Sequence, residues 1–387
     1  MADWLSADEA LSRLRVRPQT LYAYVSRGRV RAEPDPSEPR RSRYRASDVA
    51  ALAERKARGR KAADVARGAI AWGEPVLASA ITTVRDGRLW YRGQDAVRLA
   101  ETATLEEVAR LLRGGIGLPS DEPLLAPPGP TAAARAFAAF AARAAADPPA
   151  QGRSAGDLAD EAAQLLDLMA AAITGPEGAG LREEEAAAIH ERLGRAWRAP
   201  RDGWDAIRRA LVLLADHELN ASTFAARIAA STGASLSAAT LAGLAALSGP
   251  RHGGMAARVE AFAAAAARGD RRKAARGTAP PPGFGHPLYP DGDPRAAALL
   301  AVIEVPPALA ALRAEVEAAT GERANMDYAL TALRQSLQLP AEAPFALFAV
   351  ARTAGWLAHA IEQIETGALI RPRARYTGPQ GETGRGG

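Results

Sequence analysis

The stretch that decides the fold is Ala215-Asp-His-Glu-Leu-Asn-Ala-Ser-Thr-Phe-Ala-Ala-Arg227, which runs on through a third apolar segment to Gly249-Pro-Arg-His-Gly-Gly254. Ile207, Leu211 and Leu214 recur at helical spacing before His217, Phe224 and Ile228 follow it, and Leu241, Leu244 and Leu247 precede His252. The spacing predicts helix, break, helix, break, helix and turn. Asp216, His217, Glu218, Asn220, Ser222 and Thr223 crowd the first break, and Arg251, His252, Gly253 and Gly254 the final turn. Helix ends leave backbone groups unpaired, so polar side chains there can converge on a ligand. The plainer alternative is that Asn220 or Ser222 caps the next helix while His217 bonds a carbonyl.

The chain has 387 residues, 48% of them hydrophobic and 24% charged, a balance typical of soluble globular proteins with room for two or three structural units. Ala, Leu, Arg and Glu dominate over the strand-forming residues, so the chain is predicted to be mostly helical. There is no cysteine, which excludes disulfides and thiolate metal sites and fits a reducing cytoplasm. The five histidines show no metal-site spacing, so no metal is expected. Met-Ala-Asp-Trp at the start lacks the features of a signal peptide, and no apolar run reaches membrane-spanning length. Net charge is +5, but residues 1–61 hold 15 Lys and Arg against 8 Asp and Glu, so the basic character belongs to the first segment. Such asymmetry suggests a separate module.

That segment has its own punctuation. Ser6 and Glu9 form a capping box before a helix Ala7–Leu14, and Pro18 opens a second helix to Arg27, ended by Gly28. Strands are expected at Arg29–Ala32 and Ser42–Arg45, and Ala46-Ser-Asp48 begins a third helix. The motifs Leu5-Ser-Ala-Asp-Glu-Ala10, Val16-Arg-Pro-Gln-Thr-Leu-Tyr22, Ser26-Arg-Gly28 and Arg43-Tyr-Arg-Ala-Ser-Asp-Val49 resemble a winged helix-turn-helix of the MerR/excisionase type. The resemblance implies DNA binding through residues 1–62, with Gln19, Thr20, Tyr22 and Tyr24 toward the bases and Arg40, Arg41 and Arg43 toward phosphates. A docking module used for dimerisation or regulation fits the same residues.

Arg55–Arg67 reads as a charged linker or helix extension. Ala80–Gly93 then reads as a hairpin turning at Asp86-Gly87, and Thr104 with Glu107 caps a helix Leu105–Leu112. His190 has no evident polar partner and reads as an ordinary surface histidine. Asp293-Pro294 opens a helix with Arg295 in its first turn, and Asn325-Met-Asp327 marks another helix start. In the predicted helix Pro344–Thr366, Arg352 shares an apolar face with Phe345, Phe348 and Trp356. A guanidinium on a buried stripe needs an anion, which is either an internal carboxylate or one belonging to a substrate.

Taken in order, Asp216-His-Glu-Leu-Asn-Ala-Ser-Thr223, Gly249-Pro-Arg-His-Gly-Gly254, Gly283-Phe-Gly-His286 with Asp293-Pro-Arg295, Asn325-Met-Asp327, Ala351-Arg-Thr-Ala-Gly-Trp-Leu-Ala-His359 and Arg371-Pro-Arg373 resemble the citrate synthase family over about residues 70–378. The resemblance implies a mainly α, two-domain all-helical homodimer without a permanently bound cofactor. Its substrates would be oxaloacetate and a coenzyme A thioester, acetyl-CoA or, for a 2-methylcitrate synthase, propionyl-CoA. Carried over by position, Asp327 is the base, His252 the donor to the thioester oxygen, and His286 the group that polarises the oxaloacetate carbonyl. His217, Arg295, Arg352 and Arg371 match carboxylate-binding positions, with Arg371 reaching into the neighbouring subunit. Pro281, Gly283 and Phe284 match the segment that wraps the adenine of coenzyme A, and Arg271, Arg272, Lys273 and Arg276 precede it.

The implied layout is residues 1–62 as helix-turn-helix and 63–387 as synthase, with a small subdomain at about 255–345. Three places depart from the usual pattern: Met255-Ala-Ala257 after the His-Gly-Gly turn, Tyr328-Ala-Leu-Thr331 after Asp327, and Pro287 after His286. They leave acyl-chain choice open. An alternative from another class is a DNA-binding, metabolite-sensing regulator built on a degenerate synthase body.

Overall fold

The chain is mainly helical, and residues 79–387 are organised around one helix, Ala343–Thr366, which is buried on nearly every side. Small residues make that burial feasible: at Gly355 a side chain would meet Asp216 Oδ1 at 2.3 Å, and Gly243 on a neighbouring helix leaves room for the Trp356 ring. Helices Ala155–Thr174, Trp204–Leu214, Ala221–Ser231 and Leu236–Leu247 pack around it. These surround a continuous apolar core that includes Leu211, Leu244, Leu347, Leu357 and Phe140. The computed structural model describes residues 4–14, 16, 18–26, 30–36, 38, 41–50, 52–53, 77–115, 127–175, 188–268, 280–374 and 376–378. Gly28, Arg40, the segment 55–67 and the cations Arg271, Arg272, Lys273 and Arg276 lie outside the described residues.

Local chemistry explains most of the element ends. The hairpin Thr82–Arg85 and Arg88–Tyr91 turns at Asp86 and Gly87, both with positive φ (53° and 68°), as a tight two-residue turn requires. Tyr91 then locks the hairpin to the helix Trp204–Leu214, its hydroxyl lying 3.1 Å from Val212 O. Thr104 and Glu107 form the reciprocal capping box of Leu105–Leu112, and Asn220, Asp293 and Asn325 cap their helices through side-chain oxygens.

Residues 1–78 form a second compact unit with its own core of Leu5, Leu14, Leu21, Val30, Tyr44 and Val49. Helices Ala7–Leu14 and Pro18–Ser26 accompany a three-stranded antiparallel sheet in which Ser42–Arg45 lies between Trp4–Leu5 and Ala32–Pro34. Ser6 and Glu9 make the expected capping box. The expected strand at 29–32 is displaced to 32–34, because Asp48 takes the Arg31 N–H at 3.1 Å while Val30 turns into the core. The Trp4–Leu5 strand is too short to have shown a period.

His190 is corrected as well. It is half-buried, its Nδ1 is enclosed, and burial pushes its pKa down, so it is not a surface histidine. No helix of the described residues is long and apolar enough to cross a membrane, and none of their acidic, histidine or cysteine side chains cluster as a metal site.

Candidate active site

Three helix breaks and the long helix bring the ionisable side chains together. His217 lies just past the end of Trp204–Leu214, held there because Gly355 lets Ala215 and Asp216 press against the long helix and donates its N–H to Ala215 O at 3.1 Å. His217 Nε2 and the Tyr289 hydroxyl are 2.9 Å apart, and the His217 ring meets His286 edge-on at 5.1 Å. Tyr289 also packs against His286 and lies beneath the Arg295 guanidinium, 5.3 Å from its centroid. Arg295 is buried in a two-pronged pair with Asp293, at 3.0 and 2.8 Å.

His252 closes the turn Gly249–Gly254, in which Gly253 must be a glycine because a side chain would stand 2.7 Å from Leu247 O. Its Nε2 lies 2.9 Å from Ser222 Oγ, which also lies 2.7 Å from Asn220 Oδ1 and accepts from Trp356 Nε1 at 3.1 Å. Ser222 has one hydrogen for two acceptors, so its orientation sets the His252 tautomer. Pointed at Asn220, it leaves the imidazole hydrogen on Nε2; pointed at His252, it requires that hydrogen on Nδ1. Phe348 lies between His252 and Arg352, at 5.8 Å from the ring and 5.0 Å from the guanidinium.

Asp327 and His286 are joined through backbone. Asn325 caps the Asp327 helix, its N–H reaches Gly283 O at 2.9 Å, and its Nδ2 reaches Gly285 O at 3.0 Å. Gly283 and Gly285 both take left-handed backbone in this passage. His286 Nδ1 accepts from Leu288 N at 3.2 Å, which assigns the imidazole hydrogen to Nε2.

The electrostatics follow from enclosure among cations. Burial, reinforced by Arg352, pushes His252 down to about 4; burial and Arg295 do the same to His286. Burial and then Arg295 hold His217 well below the usual imidazole range. All three are therefore neutral near pH 7. Burial pushes the partly accessible Asp327 carboxyl up to about 7, against the pull of Arg295. Burial also pushes Arg352 down to about 10. Its Nε donates to Leu214 O at 2.9 Å, and no carboxylate among the described residues comes within ion-pairing distance. Of the two anions considered for Arg352, the internal one is thus not in place.

The structure therefore gathers His217, His252, His286, Arg295, Arg352 and Asp327. It leaves Arg371 exposed on the segment after the long helix and buries Pro281, Gly283 and Phe284. Of the residues that depart from the usual family pattern, Tyr328 is buried with its hydroxyl on Leu309 O at 2.7 Å, and the Thr331 hydroxyl donates back within the helix to Asp327 O at 2.9 Å. Ser222 and Asp293 stand in the sequence only as residues of helix starts, and Tyr289 lies outside the motifs quoted above. Tyr289 carried a signal, since it stands three residues beyond His286 in a short loop.

The family model for the citrate synthase C-terminal domain matches residues 128–373. The chain belongs to the citrate synthase family. A putative citrate synthase 2 of Mycobacterium tuberculosis is 38% identical over 195 residues, covering 45% of this chain and 52% of that protein. A 2-methylcitrate synthase 1 of Corynebacterium glutamicum is 34% identical over 188 residues, covering 44% and 49%. The chain spans about half the length of the curated relatives it matches. The Thermotoga maritima citrate synthase structure superposes with a TM-score of 0.65 at 25% identity, covering 79% of this chain and 94% of that one. The Thermoplasma acidophilum citrate synthase, solved with carboxymethyl coenzyme A and oxaloacetate, gives 0.62 at 26% identity with the same coverage.

Proposed function

We propose that this citrate synthase family member condenses the acetyl group of acetyl-CoA with oxaloacetate and hydrolyses the resulting thioester to citrate and coenzyme A. The observation that carries the reading is a carboxyl group titrating at about 7, Asp327, set among neutral histidines and buried arginines. A thioester α-proton is weakly acidic, so its removal needs a base and a donor acting together. Asp327 takes the methyl proton while His252, in the tautomer with Ser222 donating to Nε2 and the imidazole hydrogen on Nδ1, donates to the thioester oxygen. The enol carbon then attacks the ketone carbon of oxaloacetate, and His286, whose hydrogen is on Nε2, protonates the resulting alkoxide. Arg295, Arg352 and His217 bind the two oxaloacetate carboxylates, where guanidinium forks suit the geometry. Water completes thioester cleavage.

Propionyl-CoA, giving 2-methylcitrate, is the second acyl donor to test, since the family resemblance extends to 2-methylcitrate synthases. Main-chain groups of the 281–284 segment would meet the adenine, because Phe284 faces inward. The active assembly in this reading is a cytoplasmic homodimer, to which exposed Arg371 contributes across the subunit boundary. Thiol release from each acyl-CoA with oxaloacetate tests the activity. Turnover with one of them, lost in Asp327→Ala, is expected; no turnover with either, or full activity in Asp327→Ala, would sink the proposal.

For residues 1–62 the proposed role is a winged helix-turn-helix that binds DNA, with 63–387 as the synthase body and about 255–345 its smaller lobe. Two adjacent helices beside a three-stranded sheet support the module, as does Tyr22, which is 62% exposed on the second helix. The wing arginines argue for weak phosphate contact, since Arg43 is paired with Glu33 and Arg41 with Glu38. Salt-dependent binding that discriminates one operator sequence is the expected result for a regulator. Binding blind to sequence would reduce the unit to a docking module.

A further inference from the structure

Arg352, Gly355 and His359 occupy positions i, i+3 and i+7 of the helix Ala343–Thr366 and share one face. Asp216, wholly buried, lies over Gly355 between the other two. A buried carboxylate beside a buried guanidinium ordinarily pairs with it directly. Here it does not: Asp216 Oδ2 is 3.1 Å from His359 Nε2, while Arg352 donates through Nε to Leu214 O. The His359 tautomer is fixed from behind. Arg227 Nη1 lies 3.1 Å from His359 Nδ1, and a guanidinium only donates, so Nδ1 accepts and the hydrogen on Nε2 faces Asp216. Arg227 is itself anchored, by Gln363 Oε1 at 2.9 Å and by the Glu362 carboxylate, which also accepts from Ala80 N at 2.8 Å.

We propose that His359 is a positioning residue that tethers the Asp216 carboxylate away from Arg352, keeping that guanidinium available to a carboxylate of the oxoacid substrate. The inference rests on the condensation reading above. Oxaloacetate must displace whatever anion already occupies Arg352. A carboxylate free to swing across Gly355 would be such a competitor, built into the protein and present at every moment. The hydrogen bond from His359, backed by Arg227, holds Oδ2 of that competitor on the imidazole and so keeps the carboxylate from turning across Gly355 onto Arg352. His359 touches no substrate in this scheme and acts only through Asp216.

The test uses the full chain and four proteins: wild type, His359→Phe, His359→Gln and the double variant His359→Phe/Asp216→Asn. Oxaloacetate binding is measured by calorimetry, alongside KM and kcat for both substrates. His359→Phe should raise the Kd and KM for oxaloacetate by about tenfold or more, with the acyl-CoA KM little changed. His359→Gln, which keeps a donor toward Asp216, should stay within about threefold of wild type. The double variant removes the competing charge and should recover most of the lost affinity, a rescue that mere space-filling by His359 would not produce. Where His359→Phe fails to fold, His359→Asn replaces it, being polar but too short to reach Asp216. Unchanged oxaloacetate affinity in His359→Phe, or no recovery in the double variant, overturns the tether while leaving the condensation reading intact. A wild-type protein that binds no oxaloacetate brings both down.

Discussion

Asn325 Nδ2 donates a 3.0 Å hydrogen bond to Gly285 O, and this bond fastens the loop of His286 to the first turn of the helix that carries Asp327. The same side chain caps that turn, its Oδ1 accepting from Asp327 N at 3.0 Å. One residue thereby fixes the spacing between the proposed base and the proposed acid that works on the other substrate.

Asn325→Ala should therefore cost more in turnover than in stability. Loss of the cap destabilises the fold by about 1–2 kcal/mol, whereas loosening the proposed base and acid at once should lower kcat by about tenfold or more. Thermal melts and steady-state kinetics on the same preparation separate the two effects. A variant that melts lower but turns over normally would show that the tie is only structural.

The devices that act within one turn were legible in the sequence. Asp86-Gly87 marked a hairpin, Thr104 with Glu107 a capping box, and Asp293-Pro294 a helix start, because each depends on residues three or fewer positions apart. The family motifs named the candidate site residues but not what holds them. His217 meets Tyr289 across 72 positions and His359 meets Asp216 across 143, and no local period records such pairings. Ser222 read as a cap candidate; only the fold brings Trp356 and His252 to its hydroxyl. The displaced strand near residue 32 failed for a related reason, since Asp48 claims the Arg31 N–H from 17 positions away.

The raised Asp327 carboxyl predicts opposite pH trends for activity and stability. Burial places it at about 7 when folded, against 3.8 as the ordinary value. A base must be ionised, so kcat/KM should rise with pH through about 7. The folded state holds this proton between those two values while the unfolded state does not, so stability from this group falls as pH rises across that window. Asp327→Asn should abolish turnover and yet be more stable than wild type at pH 8, on the order of 2 kcal/mol after allowance for partial solvent access. At pH 4 the two should unfold alike. Denaturant unfolding at both pH values checks the sign.

The histidines should behave in the contrary sense. His252 and His286 are held at about 4, so each stays neutral when folded but takes a proton below 6.5 when unfolded. Their contribution to stability is complete above pH 6.5 and is lost as pH falls toward 4. Histidine NMR of the folded protein should show both rings still neutral at pH 5.5, and His252→Asn should flatten the acid limb of the stability curve. A ring that titrates near 6.5 would mean that water reaches it.

Arg352→Lys isolates the fork from the charge. Arg352 is 1% exposed, donates through Nε to Leu214 O and lies over the Phe348 ring, so a lysine keeps the cation but not the planar pair of donors. Oxaloacetate binding should weaken by about 2–3 kcal/mol, roughly 30- to 150-fold in KM, while the acyl-CoA KM changes little. The unliganded variant should melt close to wild type. Oxaloacetate at about 100 times the wild-type Kd should stabilise wild type by about 2.7 kcal/mol, and the variant by much less, because only a ligand that binds the folded state shifts the melt. Equal thermal shifts in the two proteins would place the oxaloacetate carboxylates elsewhere and remove Arg352 from the proposed site.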